Sequence, residues 1–280
     1  MAARLSIGTM ALWIVSAIAA SAAPALAQGE TGFLRGRGNL DLAVSYSLDS
    51  YDEFWVDERR VSAESLGRID RHTISLYAAY GLTDDLDLIS SASYVRATST
   101  GVYDDNQDFQ DMKLALKWRV GEWELGPGRF SILAAPGGQF PLSDYNSEAF
   151  TAIGDGEWAL LGRGILHYQF DAGAFVSLET GFDYRDGLPA NEVPVNLTAG
   201  FSLFDRLTLS GFYSHVESLG GFNVDQGPFP GNQEEYDRIG GGIYFRINDR
   251  FGVSASAWTT LDGKNTGDVD GFSIGTVLKF

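Results

Sequence analysis

The chain has 280 residues, 34 glycines, 13% aromatic residues, no cysteine and a formal net charge of -17 at pH 7. That acidity excludes nucleic acid as a partner, since a polyanion would be repelled, and the lack of cysteine excludes a disulfide framework. Glycine and aromatics at these levels are unusual for a helical domain and natural in a β-barrel, where glycine fits a crowded lumen and rings sit at membrane interfaces.

Met1 to Ala27 has a basic start at Arg4, an apolar run through Met10 to Ala20 and a small-residue site at Ala25-Leu26-Ala27. This predicts a signal peptide, 1–27, removed before Gln28. A short periplasmic segment, 28–38, would follow, and then a barrel over 39–280. No later stretch approaches the roughly eighteen uninterrupted apolar residues of a membrane-crossing helix. A membrane form must therefore be a closed barrel, which alone among sheets satisfies every backbone polar group in hydrocarbon.

Alternating segments recur about every twenty residues and predict about twelve strands. The first, Asn39 to Ser47, puts Leu40, Leu42, Val44 and Tyr46 on one face; the second, Arg71 to Tyr80, sets Ile74, Leu76, Ala78 and Tyr80 against Arg71, Thr73, Ser75 and Tyr77. Leu86 to Val95 is the third. In the fourth, Met112, Leu114, Leu116, Trp118 and Val120 alternate with Asp111, Lys113, Ala115, Lys117 and Arg119, so the two faces meet different solvents. Arg129 to Pro136 follows, with the proline expected to end the strand or mark a bulge. Glu157 to Phe170, Ala174 to Tyr184, Val193 to Leu203 and Leu207 to Val216 come next. Tyr236 to Ile247 and Phe251 to Trp258 precede the terminal strand.

Short connections rich in Gly, Asp and Asn (Gly81 to Asp85, Phe170 to Gly173, Phe204 to Arg206, Asn248 to Arg250) and a longer one, Gly121 to Gly128, alternate with six long ones. Sorting of loops by length is the asymmetry of an outer-membrane barrel, with short turns and both termini in the periplasm. Charged residues stand beside Gly, Ser and Ala on the polar face, which predicts apolar-out packing. Aromatic residues at both strand ends predict two interfacial girdles.

The terminal segment, Ser273 to Phe280, resembles the carboxy-terminal insertion signal of bacterial outer-membrane barrels at Ser273, Gly275, Leu278 and Phe280. The barrel-insertion machinery, outer-membrane lipid and lipopolysaccharide are the partners this implies. The hairpin Tyr80-Gly81-Leu82-Thr83-Asp84-Asp85-Leu86-Asp87-Leu88, followed by Ser93-Tyr94-Val95-Arg96, resembles the outer-membrane family labelled as the MetA pathway of phenol degradation. That resemblance implies a passive pore or uptake channel for small, aromatic compounds, and carries no catalytic residue or cofactor.

Candidate lumen-lining residues carry both signs of charge. Asp111, Glu157, Glu179 and Asp183 are acidic, whereas Lys113, Lys117, Arg119, Arg163, Arg238 and Arg246 are basic, with His167 among them. Facing rows of opposite sign would narrow a pore and select polar solutes; the same pairs would equally neutralise and fill a closed lumen. Asp104, Asp105 and Asp108 are hard oxygen ligands for Ca²⁺ or Mg²⁺, or a solvated acidic loop. His215, Glu217 and Ser218 beside Gly220-Gly221 raise an outer-membrane lipid hydrolase, although period-2 alternation turns Ser218 away from His215. Diffusion of small solutes with a weak cation preference is the expected function, because seven acidic residues in Asp49 to Asp70 face only Arg59, Arg60 and Arg68. A plugged structural or adhesive barrel is the remaining alternative.

Overall fold

The computed structural model describes residues 29–62, 67–204, 206–224, 226–227 and 229–280; the predicted signal peptide lies outside them. Fifteen strands are present: β1 (Leu40–Tyr51), β2 (Glu53–Val56), β3 (Arg59–Ser62), β4 (Ile69–Gly81), β5 (Leu86–Ser99), β6 (Asn106–Phe109), β7 (Met112–Glu124), β8 (Gly128–Phe140), β9 (Ala159–Phe170), β10 (Ala174–Arg185), β11 (Asn191–Leu203), β12 (Leu207–Leu219), β13 (Glu235–Arg246), β14 (Phe251–Lys264) and β15 (Asp270–Lys279). Twelve form an antiparallel cylinder. Each pairs with its neighbours along the chain, and β1 closes the ring on β15, from Asp41 opposite Lys279 to Ser50 opposite Asp270. Closure removes both sheet edges. The extra strands decorate the long-loop end: β2 and β3 form a hairpin, and β6 adds to β5.

Each strand alternates as its sequence dictates. Ile74, Leu76, Leu160 and Ile274 are more than half exposed, whereas residues of the other face such as Thr73, Lys117, Ser177 and Val277 are buried. The exterior is thus apolar and the interior polar, the reverse of a soluble barrel. The lumen is filled by large side chains laid across glycines. Phe175 lies over its cross-strand partner Gly200, and Phe212 over Gly240, where any Cβ would collide with the ring. These pairings explain the glycine content.

Two sequence expectations change. β8 does not end at Pro136; it runs on to Phe140, and only its ladder with β7 is interrupted beside the proline, which has no N–H to donate. The Gly121 to Gly128 connection shrinks to Leu125–Pro127, because β7 extends to Glu124 past a register shift at Arg119/Gly121. All five connections at that end are then tight.

Candidate functional site

The interior is layered, and the lowest layer is built by residues that lack any strand periodicity. Residues 29–38, which sequence assigns to the periplasm, run inside the barrel. They enter at the short-turn end, where Gly38 N donates to Gly81 O at 2.8 Å and Arg35 N to the Asp87 carboxylate at 2.9 Å. The Arg35 guanidinium bonds Asp41 at 2.7 Å. Further in, the Phe33 ring meets His167 and Phe175 edge-on, at centroid distances of 4.6 and 5.0 Å. His167 is buried and its Nδ1 lies 2.6 Å from Ser177 Oγ.

Glu30 anchors the segment. Its carboxylate accepts from Lys117 Nζ at 2.9 Å and from the Tyr77 hydroxyl at 3.0 Å, while its own N–H donates to Glu179 at 2.9 Å. Burial alone would push this carboxyl up, but the Lys117 ammonium and the Lys117 and Tyr77 hydrogen bonds outweigh it and hold the group below its ordinary value. Three elements of the wall, β4, β7 and β10, therefore grip one acidic side chain and its backbone.

Above that layer the predicted luminal charges mostly pair. Arg163 forks onto Asp183, with Nη2 to Oδ2 at 2.8 Å, and stands 4.0 Å from Glu179. Arg185, one residue past the predicted strand Ala174 to Tyr184, ends β10 and binds Glu192 through two 2.6 Å bonds. Arg119 instead serves the short-turn rim, bonding Asp85 at 2.6 Å and Glu122 at 3.0 Å, and Arg246 lies there also, 3.9 Å from Asp249. Glu157 precedes β9 and packs beside Gly187 at the opposite rim. Asp111 is buried just before β7, where it accepts from Tyr145 at 2.5 Å and Gln139 at 3.0 Å. Burial and then this donation push the Tyr145 phenol above its usual range. Lys113 and Arg238 face the lumen without an ion pair among the described residues.

The long loops fold over the barrel. Phe150, between β8 and β9, packs its ring against Phe54, Tyr103 and Phe229, each from a different connection, at 5.2, 5.0 and 4.9 Å. Asn265, wholly buried with φ 51°, ties three connections together. Its amide oxygen accepts from Asp57 N and Val224 N, and its NH₂ donates to Asn223 and Gln233. Three cavities are stacked along the axis: about 270 Å³ beneath this cap, about 240 Å³ at mid-barrel and about 840 Å³ at the short-turn end. The upper two share Ser91, Lys113, Arg185 and Arg238 as walls, and the residues from Glu30 to Phe33 stand between the lower two.

The remaining candidates lie apart. Asp105 stands 3.4 Å from Arg96, Asp104 accepts from Thr151 through its backbone, and Asp108 caps Phe109 N. Among the described residues no acidic and histidine cluster forms a metal-holding group. His215 faces outward between Asp237 (2.8 Å) and Glu217 (3.6 Å), while Ser218 faces inward and donates to Glu234 O, so the two cannot form a nucleophile-base pair. Ser273 is buried and donates to Tyr46 O across the β1–β15 seam; Gly275 packs close to Ser254 and Ser45, and Leu278 and Phe280 are exposed. Sequence reasoning missed Glu30, Phe33, Arg35 and Asn265. The charges of Glu30 and Arg35 flanking Phe33, in a stretch with no alternation, were the available signal.

A closed twelve-stranded wall, apolar outside and charged inside, defines an outer-membrane β-barrel. The chain belongs to the family described as "Putative MetA-pathway of phenol degradation", whose profile matches residues 29–275. Among solved structures it is similar to the COG4313 outer membrane channel from Pseudomonas putida F1, at 14% identity and TM-score 0.73, covering 90% of this chain and 99% of that one. It is also similar to the translocator domain of autotransporter NalP from Neisseria meningitidis (11% identity, 88% and 89% covered, TM-score 0.53) and to the NanC porin (9%, 86% and 100%, 0.50). At these identities the likeness is one of fold. No curated protein matches the sequence.

Proposed function

We propose that this barrel is a passive outer-membrane channel for small solutes, with aromatic compounds as the favoured class and with short turns and both termini in the periplasm. The carrying observation is the row of three cavities along the axis, interrupted by the Glu30–Phe33 stretch and by the Phe150 cap rather than by the wall itself. Family membership and the likeness to a channel of the same fold support this reading. The acidic first loop gives the mouth a weak preference for cations, confined at physiological salt to about 8 Å. A plugged structural barrel is the second reading, favoured by how firmly residues 29–35 are bonded across the lumen.

Conductance of the purified protein in a planar bilayer across a salt gradient tests the proposal. A measurable conductance with a modest cation-selective reversal potential is expected. Full insertion with neither conductance nor solute uptake would leave the plugged barrel.

A further inference from the structure

The cavity under the aromatic cap has a charge arrangement that the overall acidity does not foreshadow. Arg71, Lys113, Arg185 and Arg238 line it, and of these only Arg185 is in an ion pair among the described residues. Arg71 donates one Nη2 hydrogen to Ala152 O at 2.7 Å, while its Nε is buried with no acceptor. Arg238 makes one long 3.4 Å contact to Thr260 and stacks 4.0 Å above the Tyr236 ring. Four carboxylates stand around the cavity as well, and apart from Asp155 on Arg185 each is hydrogen-bonded to a neutral donor rather than to one of these cations. Asp111 holds Tyr145 and Gln139, Asp155 stands 3.4 Å from Arg185, Glu234 accepts from Thr266 at 2.7 Å, and Asp49 accepts from Trp258 at 2.9 Å.

A buried guanidinium donor left unmade, as Arg71 Nε is, is costly, and an anion from outside would satisfy it together with Lys113 and Arg238 beside it, neither in an ion pair among the described residues. Directly above them lie the rings of Phe54, Phe150 and Phe229. The volume of about 270 Å³ falls just under the roughly 300–1,000 Å³ of sites for drug-sized ligands, which suits a single-ring molecule.

We propose that this vestibule is a binding site for an aromatic carboxylate, with the carboxylate on Arg71, Lys113 and Arg238 and the ring against the phenylalanine cap. The proposal deepens the channel reading by naming a solute class, and it rests on that reading only for onward passage. The acidic mouth opposes an anion only over about 8 Å, so entry rests on the ring meeting the phenylalanine cap and retention on Arg71, Lys113 and Arg238 below it.

The test is calorimetric titration of the full-length protein in detergent with benzoate, benzyl alcohol and inorganic phosphate, beside bilayer conductance of the same sample. Benzoate should bind, with benzyl alcohol and phosphate each about tenfold weaker or more. Lys113→Gln and Arg238→Gln, checked for folding by heat-modifiable migration, should each weaken benzoate about tenfold, and Phe150→Ala should weaken benzoate but leave phosphate unchanged. Benzoate binding no tighter than benzyl alcohol, or unaltered in both charge variants, would overturn the site even if the protein conducts. Charge-dependent benzoate binding in a protein that does not conduct would uphold the site and remove the channel reading instead.

Discussion

In the short-turn half, residues 29–39 are held by Lys117, Tyr77, Glu179, Asp87 and Asp41 through charges and charge-assisted hydrogen bonds. At the long-loop end, four aromatic rings and the uncharged amide of Asn265 join the connections, with the ion pairs of Arg60 to Glu53 and Asp268 and of Arg185 to Asp155 around them. The same lumen is therefore obstructed twice with different chemistry. The lower obstruction depends on a proton and on a partner of opposite charge; the centre of the upper one depends on ring area and one amide. A condition that loosens one should leave the other in place, which is what makes the two separable by experiment.

Both obstructions presuppose a closed wall, so the largest effect comes from the seam. Deleting Leu278 to Phe280 removes the β15 partners of Asp41 and Leu42 and the backbone pair between Leu40 and Phe280, and it is expected to abolish most heat-modifiable, membrane-inserted protein. Normal insertion would separate the seam from assembly. Next is Lys117→Met, which strands a carboxylate in the lumen. Breaking so buried a pair costs about 3 kcal/mol, and conductance should rise as the segment leaves its seat, with the Phe150 cap intact.

Asn265→Ala acts on the other side of the comparison. Losing its four side-chain hydrogen bonds should cost about 2 kcal/mol locally and make the long connections protease-sensitive, while conductance through the lower lumen changes little. The smallest effect is that of pH. Glu30 titrates below its ordinary value of 4.5 when docked, so its contribution is fully present above that pH and is lost as pH falls through the lower, docked value. Through Glu30 alone, conductance should be flat from pH 7 to about 5 and rise below it. A rise centred near pH 6 would point to another group that holds the segment instead of Glu30.

The wall was legible because its physics is local and periodic. Met112 to Val120 can satisfy lipid and lumen at once in only one conformation, and the alternation of short and long connections follows from which residues turn tightly. The charges of β7 and β10 were legible as inward for the same reason. What they touch was not, because Lys117 and Glu30 are 87 residues apart and nothing in either neighbourhood names the other. Asn265 is harder still: in sequence it is one more polar loop residue, and only the convergence of three connections makes it a hub. Pro136 shows the opposite error, a strong local rule overridden because the missing donor affects just one of two ladders.

The anchoring of Glu30 also sets an order of events during assembly. Its backbone donates to a residue 149 positions later, and its side chain needs partners on strands that are far apart around the ring. Contacts of such sequence separation form only after the long intervening loop of chain has been ordered. The β1–β15 seam, however, joins residues 227 positions apart, so by the same loop-closure cost residues 29–39 seat before the ring closes rather than after it. A cylinder that closes around a segment already seated opens no wider hole while it assembles, so the segment would guard the membrane during the protein's own insertion.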